Sequence, residues 1–132
     1  MKTSRWISLG MFTLALALAT TASTKQAQGE DILKVAPDNT TLILENEFVR
    51  VLESRTNPGE KEPMHAHPAY LVYNLTDYTI RFTGPDGIST TVDAKKGQAA
   101  YFGALSHAVE NVGTTESRAL VIEFKDSAKA GD

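Results

Sequence analysis

The sequence predicts an all-β domain, either a sandwich or a barrel, behind an N-terminal segment of different character. From Thr40 onward, short apolar or alternating segments follow one another, with Gly, Pro, Asn and Asp between them. No stretch from there to Lys125 has a helical periodicity of useful length. The 132 residues of the chain suit one domain.

The N-terminal segment has the pattern of a secretory signal. Lys2 and Arg5 precede an apolar run from Trp6 to Ala19, and small residues follow this run. A membrane-spanning helix needs about 20 apolar residues, and this run is shorter. We therefore expect residues 1–22 to be a cleaved signal, with the cut between residues 19 and 29. The mature protein is expected to be periplasmic or secreted, without stable membrane insertion.

The predicted β-domain covers residues 40–125. A lead-in of residues 23–39 precedes it, and a polar tail of residues 126–132, expected to be frayed, follows it. Eight segments are predicted as strands from their apolar or alternating patterns. In chain order, they are Thr40–Glu45, Phe48–Arg55, Met64–Leu75, Tyr78–Thr83, Ile88–Asp93, Gln98–Phe102, His107–Val112 and Ser117–Phe124.

The last of these segments shows the alternation of a strand most clearly. Leu120, Ile122 and Phe124 share one face, and Val121 and Glu123 share the other. Turn residues separate the segments from one another. The clearest breaks are Asn57-Pro58-Gly59, Gly84-Pro85-Asp86-Gly87 and Lys95-Lys96-Gly97.

Composition and charge exclude several classes of function. The chain has no cysteine, which rules out disulfides, cysteine-ligated metals and a thiol nucleophile. Its formal charge is −3, which argues against nucleic acid as a partner because nucleic acid requires a basic surface. Chemistry must therefore come from histidines, carboxylates, hydroxyl groups or a bound cofactor.

The three histidines of the chain are its most informative residues. In an extended segment His65 and His67 point to the same side, about 6.6 Å apart at Cα. Two imidazoles at this spacing can converge on one ion, and His107 would complete a ligand set if it folds over the pair. The alternative is an exposed loop in which Pro63 and Pro68 bracket the pair. Imidazole binds metal in its neutral form, so we expect affinity to fall as the pH drops through about 6.5.

The spacing around these histidines resembles the two-motif signature of the cupin superfamily. Gly59 stands six residues before His65 of the His-Ala-His segment, as in the first motif, and Asn111 stands four residues after His107, as in the second. The resemblance covers most of the mature chain and implies a jelly-roll β-barrel of about eight to ten short strands. It also implies that the three histidines hold one divalent transition metal, either Fe, Zn, Ni, Mn or Cu.

One position departs from the family pattern. The glutamate of the first motif would fall at Leu71 or Val72, or at Tyr70 after a shift of one residue, and none of these is a carboxylate. A site of three neutral ligands carries one more positive charge and favours an anionic ligand. The charged run Glu60-Lys61-Glu62 is expected to be a solvated surface, although a carboxylate from this segment before His65 is an open alternative for the place of the missing glutamate. The candidate pocket residues are Tyr70, Leu71, Tyr73, Tyr101 and Asn111, of which Leu71 and Tyr73 share a face with His65 and His67 by strand parity.

Two classes of function follow from the resemblance. The first is an exported metal-dependent enzyme, an oxygenase or isomerase that acts on a small oxygenated anion. The second is a non-catalytic module that binds a small ligand or a metal. Whether the protein is an enzyme stays open, since cupins support many chemistries. The expected partner is a small anionic molecule and not nucleic acid, and a homodimer is an open alternative to a monomer.

Overall fold

The computed structural model describes residues 29–125 of the chain. The predicted signal, the first part of the lead-in and the polar tail lie outside these residues. No helix in the described range is long and apolar enough to cross a membrane. The elements of this range are α1 Ile32–Val35, β1 Thr40–Glu45, β2 Val49–Thr56, β3 Lys61–His67, β4 Tyr70–Asn74, β5 Tyr78–Thr83, β6 Ser89–Ala94, β7 Ala99–Phe102, β8 Leu105–Asn111 and β9 Ser117–Phe124.

The strands form two sheets, and every pairing in them is antiparallel. One sheet has the order β1-β2-β9-β4-β7, and the other has the order β3-β8-β5-β6. Both sheets join strands that are far apart in the sequence, as a jelly roll requires. The predicted all-β class is confirmed, and the nine strands of residues 29–125 fall within the expected number.

The predicted strand Met64–Leu75 is wrong, because the chain changes sheets in its middle. β3 ends at His67 in the four-stranded sheet, and β4 begins at Tyr70 in the five-stranded sheet. Pro68, which stands in the bend between them, has no N–H group to donate to a continuing ladder. The alternation of faces therefore restarts at β4.

The end of the lead-in is part of the domain rather than a separate segment. The side chain of Asp31 caps α1 by accepting a hydrogen bond from the Leu33 N–H group. The Ala66 N–H group of β3 donates to the Glu30 carbonyl at 2.9 Å, which ties this segment to the four-stranded sheet. Ile32 is buried against the interior of the five-stranded sheet.

The interior contains two apolar clusters, and the candidate site lies between them. The first is Ile32, Ala36, Leu52, Tyr70 and Val121. The second is Tyr78, Ile80, Ala94 and Val109. Members of both clusters line one small cavity, together with all three histidines. The fold therefore surrounds the histidines with apolar side chains that exclude water.

Candidate metal centre

Two adjacent strands bring the three histidines together. His65 and His67 lie on β3, and His107 lies on β8 directly opposite His65 in the antiparallel register. All three side chains are buried, with residue exposures of 1%, 3% and 8%. One nitrogen from each ring lies within 4.8 Å of the others, close enough for a single ion to contact all three after small ring rotations.

The ring of His65 presents a free nitrogen to this cluster. Its Nδ1 lies 2.7 Å from the carbonyl oxygen of Pro63, and a carbonyl can only accept, so Nδ1 carries the hydrogen. Nε2 is left as an acceptor, and it is buried with no hydrogen-bond partner among residues 29–125. Buried polar atoms are rarely left unpaired, and a metal ion would satisfy this one.

The ring of His67 is held by a carboxylate behind it. Nδ1 of His67 donates to Oε1 of Glu123 at 2.6 Å, and the other oxygen of Glu123 accepts from Nε of Arg50 at 2.6 Å. Burial opposes ionisation of Glu123, but the hydrogen bonds from His67 and Arg50 outweigh it and lower the pKa of the carboxyl. A histidine whose Nδ1 bonds to a carboxylate and whose Nε2 faces inward is the usual arrangement in metal sites.

The protonation states also suit metal binding. Burial lowers the pKa of His65 to about 4 and that of His107 to about 3, because an imidazolium ion is poorly solvated in this interior. Both rings are therefore neutral at pH 7. For these two rings, we therefore expect protonation to compete with a metal only well below pH 6.5, because that value belongs to a solvated imidazole.

The cavity beside the histidines is small and mostly apolar. Its volume is about 50 Å³, enough for an ion and a few water-sized groups. Two aromatic rings line the cavity. The ring centroid of Tyr70 lies 4.6 Å from that of His67, and the ring of Phe82 stacks on that of His107 with 5.0 Å between their centroids. The cavity thus limits a ligand to a few atoms.

The cavity also contains a buried carboxyl group from the segment before His65, where the sequence left a replacement carboxylate open. The register of β3 against β8 shifts between Glu62 and His65, so that three steps along β3 match two along β8. This bulge turns Glu62 and His65 inward together, and Glu62 is 3% exposed and lines the cavity. Oε1 of Glu62 accepts from the hydroxyl groups of Thr56 at 2.9 Å and Ser54 at 3.0 Å.

The pKa of Glu62 is raised, because burial outweighs these two hydrogen bonds. The expectation that the run Glu60-Lys61-Glu62 is solvated is therefore wrong for its last member. In a regular strand, Glu62 and His65 would lie on opposite faces, because they are three positions apart. Only a bulge between them allows both side chains to point inward.

The other candidate pocket residues divide between inside and outside. Tyr70 lines the cavity and is 3% exposed, at the position where the shifted family motif would place its carboxylate. Tyr73 and Tyr101 are 40% and 65% exposed. Leu71 alternates with the buried Tyr70 and so faces outward with Tyr73. The predicted sharing of a face by Leu71, Tyr73 and the histidines fails because the chain changes sheets between them.

Asn111 is fully buried, but it serves the fold. Its side-chain amide donates to the carbonyls of Thr56 at 2.7 Å and Thr115 at 2.8 Å. Its oxygen accepts from the Gly113 N–H group at 3.0 Å. With its donors and acceptor engaged in this way, Asn111 fastens the turn after β8 to the end of β2.

Solved structures similar to this chain have cupin or double-stranded β-helix folds. A cupin domain from Bordetella pertussis is 31% identical, covers 65% of this chain and 91% of its own, and has a TM-score of 0.61. An RmlC-like cupin from Methanocaldococcus jannaschii is 15% identical, over 68% of this chain and 82% of its own, with a TM-score of 0.55. A double-stranded β-helix protein from Klebsiella pneumoniae is 20% identical, over 69% and 77%, with a TM-score of 0.52.

The last two structures are similar to this chain in fold alone. No family model matches the chain, and no curated protein does. The Bordetella domain, in contrast, shares nearly a third of its residues over almost its whole length. Together with the two-sheet barrel and the histidines at its centre, this similarity shows that the chain belongs to the cupin superfamily.

Proposed function

We propose that this protein binds one divalent transition metal through His65, His67 and His107, and binds a small oxygenated anion beside it. The observation that carries the proposal is the buried, unpartnered Nε2 of His65 within reach of two other imidazoles. Three imidazoles suit Fe, Zn, Ni or Cu better than Ca or Mg, which prefer oxygen ligands.

The charge of the site favours an anion. A bound divalent metal supplies positive charge and open coordination positions, and the three neutral histidines do not offset this charge. Tyr70 stands where a ligating carboxylate was expected and adds no charge. The small apolar cavity selects for a ligand of a few atoms, such as a short carboxylate or an enolate.

Glu62 favours an enzyme over a binding module. Burial raises the pKa of the Glu62 carboxyl group, and such a group can exchange a proton with a ligand in the same cavity. A purely binding site has no need of such a group, which costs stability when it ionises. We therefore place a metal-dependent isomerase or oxygenase first and a non-catalytic module second, with Glu62 as the proton-transferring group.

Export remains part of the proposal. The basic, apolar and small residues of the first 22 positions support cleavage and a periplasmic or secreted mature protein. The intact mass of the exported protein tests this, because the mature chain should lack Trp6, the only tryptophan. Retention of Met1 in the exported protein would contradict cleavage.

Calorimetric titration of metal-free protein with Zn, Ni and Fe(II) tests the metal site. We expect one ion per chain, and a loss of affinity of more than about 100-fold in His67→Ala and in His107→Ala alike. Glu60→Gln and Glu110→Gln, which alter carboxylates outside the cavity, serve as controls and should bind as the wild type does. Full affinity in His107→Ala would refute a shared site on β3 and β8.

The size of the ligand is tested on zinc-loaded protein. Formate and acetate should bind, whereas benzoate should bind at least about tenfold more weakly because its ring exceeds the cavity. The same titrations on Glu62→Gln separate the two classes of function. If the protein is an enzyme, Glu62→Gln should keep the anion affinity of the wild type but lose the ability to convert its substrate. If it is a binding module, neither the wild type nor Glu62→Gln should convert a bound anion.

A further inference from the structure

The interior between the two sheets is covered along one edge and uncovered along the other. At the first edge, β3 packs against α1, and its inward side chains Glu62, His65 and His67 are at most 3% exposed. At the second edge lie β6 and β7, which are edge strands of different sheets. A turn joins β6, which ends at Ala94, to β7, which begins at Ala99. Beyond this turn, no strand pairing among residues 29–125 connects β6 with β7.

Side chains that face the interior at this second edge are exposed to solvent. Directly opposite residues of an antiparallel pair share a face of the sheet. Thr90 of β6 lies opposite Phe82, and Ala100 of β7 lies opposite Val72, and both of these partners line the cavity. Thr90 and Ala100 are nevertheless exposed, and Val92, which faces the same way as Thr90, is 40% exposed. The interior is therefore open between these two strands, and we call this opening the β6–β7 mouth.

Phe82 stands between this mouth and the histidines. Across the four-stranded sheet, it lies between Val109 of β8, which lines the cavity, and Thr90 of β6, at the mouth. Ile80, the preceding inward residue of β5, is 6% exposed, whereas Phe82 is only partly buried. The ring of Phe82 stacks on His107 with 5.0 Å between the ring centroids. A molecule that moves from the mouth to His107 must therefore pass this ring.

The other walls of the cavity give way less easily. Every residue that lines the cavity, except Ile32, belongs to a strand, and strands separate only when their ladder hydrogen bonds break. Ile32 lies at the covered edge, where it is 2% exposed and packs in one cluster with Leu52 and Val121. The ring of Phe82, in contrast, can rotate about its side-chain torsions without loss of a backbone hydrogen bond. The route past Phe82 is therefore the one that requires the smallest rearrangement.

We propose that ligands reach the histidines through the β6–β7 mouth, and that Phe82 determines the size of the ligand that the site accepts. The nature of this ligand, a small anion, rests on the proposed function, whereas the route does not. Phe82→Ala removes an aromatic ring and leaves a space of that size beside His107. The ring of benzoate can fill this space and stack on His107 as Phe82 does. In the wild type the ring of Phe82 occupies it, which restricts the site to short anions.

The rate at which diethyl pyrocarbonate modifies His107 in the metal-free protein tests the route. This reagent acylates neutral imidazole, and peptide mass spectrometry measures His107 apart from the two histidines of β3. Phe82→Ala should raise the rate at least about tenfold, because the way from the mouth is then open. Ala100→Trp, which adds a ring at an exposed position of the mouth, should lower it. Ile32→Ala is the matched control: it removes an apolar side chain from the same cavity at the covered edge and should leave the rate unchanged.

Equal rates in Phe82→Ala and the wild type, or an equal increase in Ile32→Ala, would overturn the route. Circular dichroism verifies that each variant is folded, and Phe82→Leu, which keeps an apolar side chain, should give a smaller increase in the rate.

Calorimetric titration of the zinc-loaded protein with acetate and benzoate tests the selection by size. Phe82→Ala should bind benzoate at least about tenfold more tightly than the wild type does, and acetate within about threefold of it. Ile32→Ala should keep the wild-type preference for acetate. Unchanged benzoate affinity in Phe82→Ala would overturn the role of Phe82. A wild type that binds no zinc would contradict the proposed function, and the modification rates of the metal-free protein would still decide the route.

Discussion

Glu123 connects the candidate ligand His67 to Arg50, with one carboxylate oxygen bonded to each. The contact with His67 is buried and that with Arg50 is partly buried, and Asp31 forms a second ion pair with Arg50. The Glu123 carboxylate accepts the hydrogen of His67 Nδ1 and so fixes the tautomer and the orientation of the ring. Glu123 would therefore act on a bound metal ion through His67, as a positioning residue.

Glu123→Gln should lower metal affinity by about 10- to 100-fold, because an amide keeps the shape of the carboxylate and loses its charge. Calorimetric titration with Zn measures this. Glu53→Gln is a fitting control, since Glu53 pairs with Arg118 at a similar distance on the outer side of the same sheet. Equal affinity in Glu123→Gln and wild type would show that Glu123 serves only the fold.

Glu62 should make the metal-free protein less stable as the pH rises. Its folded-state pKa lies above the ordinary value of 4.5, so the folded state holds this proton more tightly than the unfolded state does. This contribution to the free energy of unfolding is fully present below the pKa that Glu62 has in the unfolded state. It is lost as the pH rises through the pKa that Glu62 has in the folded state. Glu62→Gln keeps an oxygen for Thr56 and Ser54 and removes the loss.

Glu62→Gln should therefore be more stable than the wild type at pH 7 and no more stable below about pH 4. Denaturant unfolding of the metal-free forms across this range measures the difference. Glu60→Gln is the control from the same run: Glu60 is exposed, and hydrogen bonds from Asn57 lower its pKa, so this variant should show no gain at any pH. A gain that persists at low pH would contradict the assignment to ionisation.

Among the connections between strands, the turn from β2 to β3 depends on one glycine. Gly59 has a φ of +81°, in the left-handed region that costs other residues about 1–2 kcal/mol. A Cβ added there would meet nothing within 4 Å, so the cost is backbone strain alone. The Gly59 N–H group also bonds to the Asn111 carbonyl at 2.9 Å, which joins this turn to the end of β8.

Gly59→Ala should lower the free energy of unfolding by about 1 kcal/mol, whereas Gly103→Ala should leave it unchanged or raise it slightly. Gly103 also has open space at its Cβ position, but it has no positive φ. The two variants therefore differ only in backbone strain. Thermal unfolding measures both, and equal melting temperatures would contradict this account of the turn.

The whole barrel should fold without metal. Its two apolar clusters extend over both sheets and the lead-in helix, and neither depends on an ion to bring its members together. A metal that binds only the folded state adds stability by mass action, about 2.7 kcal/mol at a hundredfold excess over its dissociation constant. Chelation should therefore leave the β-type circular dichroism spectrum unchanged and lower the melting temperature. Loss of this spectrum on chelation would make the metal a structural one.

Local patterns in the sequence predicted most of the strands. Alternation and turn residues are signals that extend over only a few residues, so they can be recognised in the sequence. The predicted bounds of β1, β5 and β9 are confirmed. The grouping of the histidines was predicted from the family resemblance. The 31% identity to a cupin domain supports that resemblance, although the family's own carboxylate is missing here.

The sequence by itself determined the all-β class, the positions of most strands and three histidines able to share an ion. Only the tertiary structure decided which sheet each strand joins, and with it the break at Pro68, the inward turn of Glu62 and the outward position of Tyr73. It also decided that Glu123 lies behind His67, 56 residues away in the chain. The physical reason is that strand alternation is a local property of the backbone. The register between strands is chosen by burial and hydrogen bonding over the whole domain, which no short segment encodes.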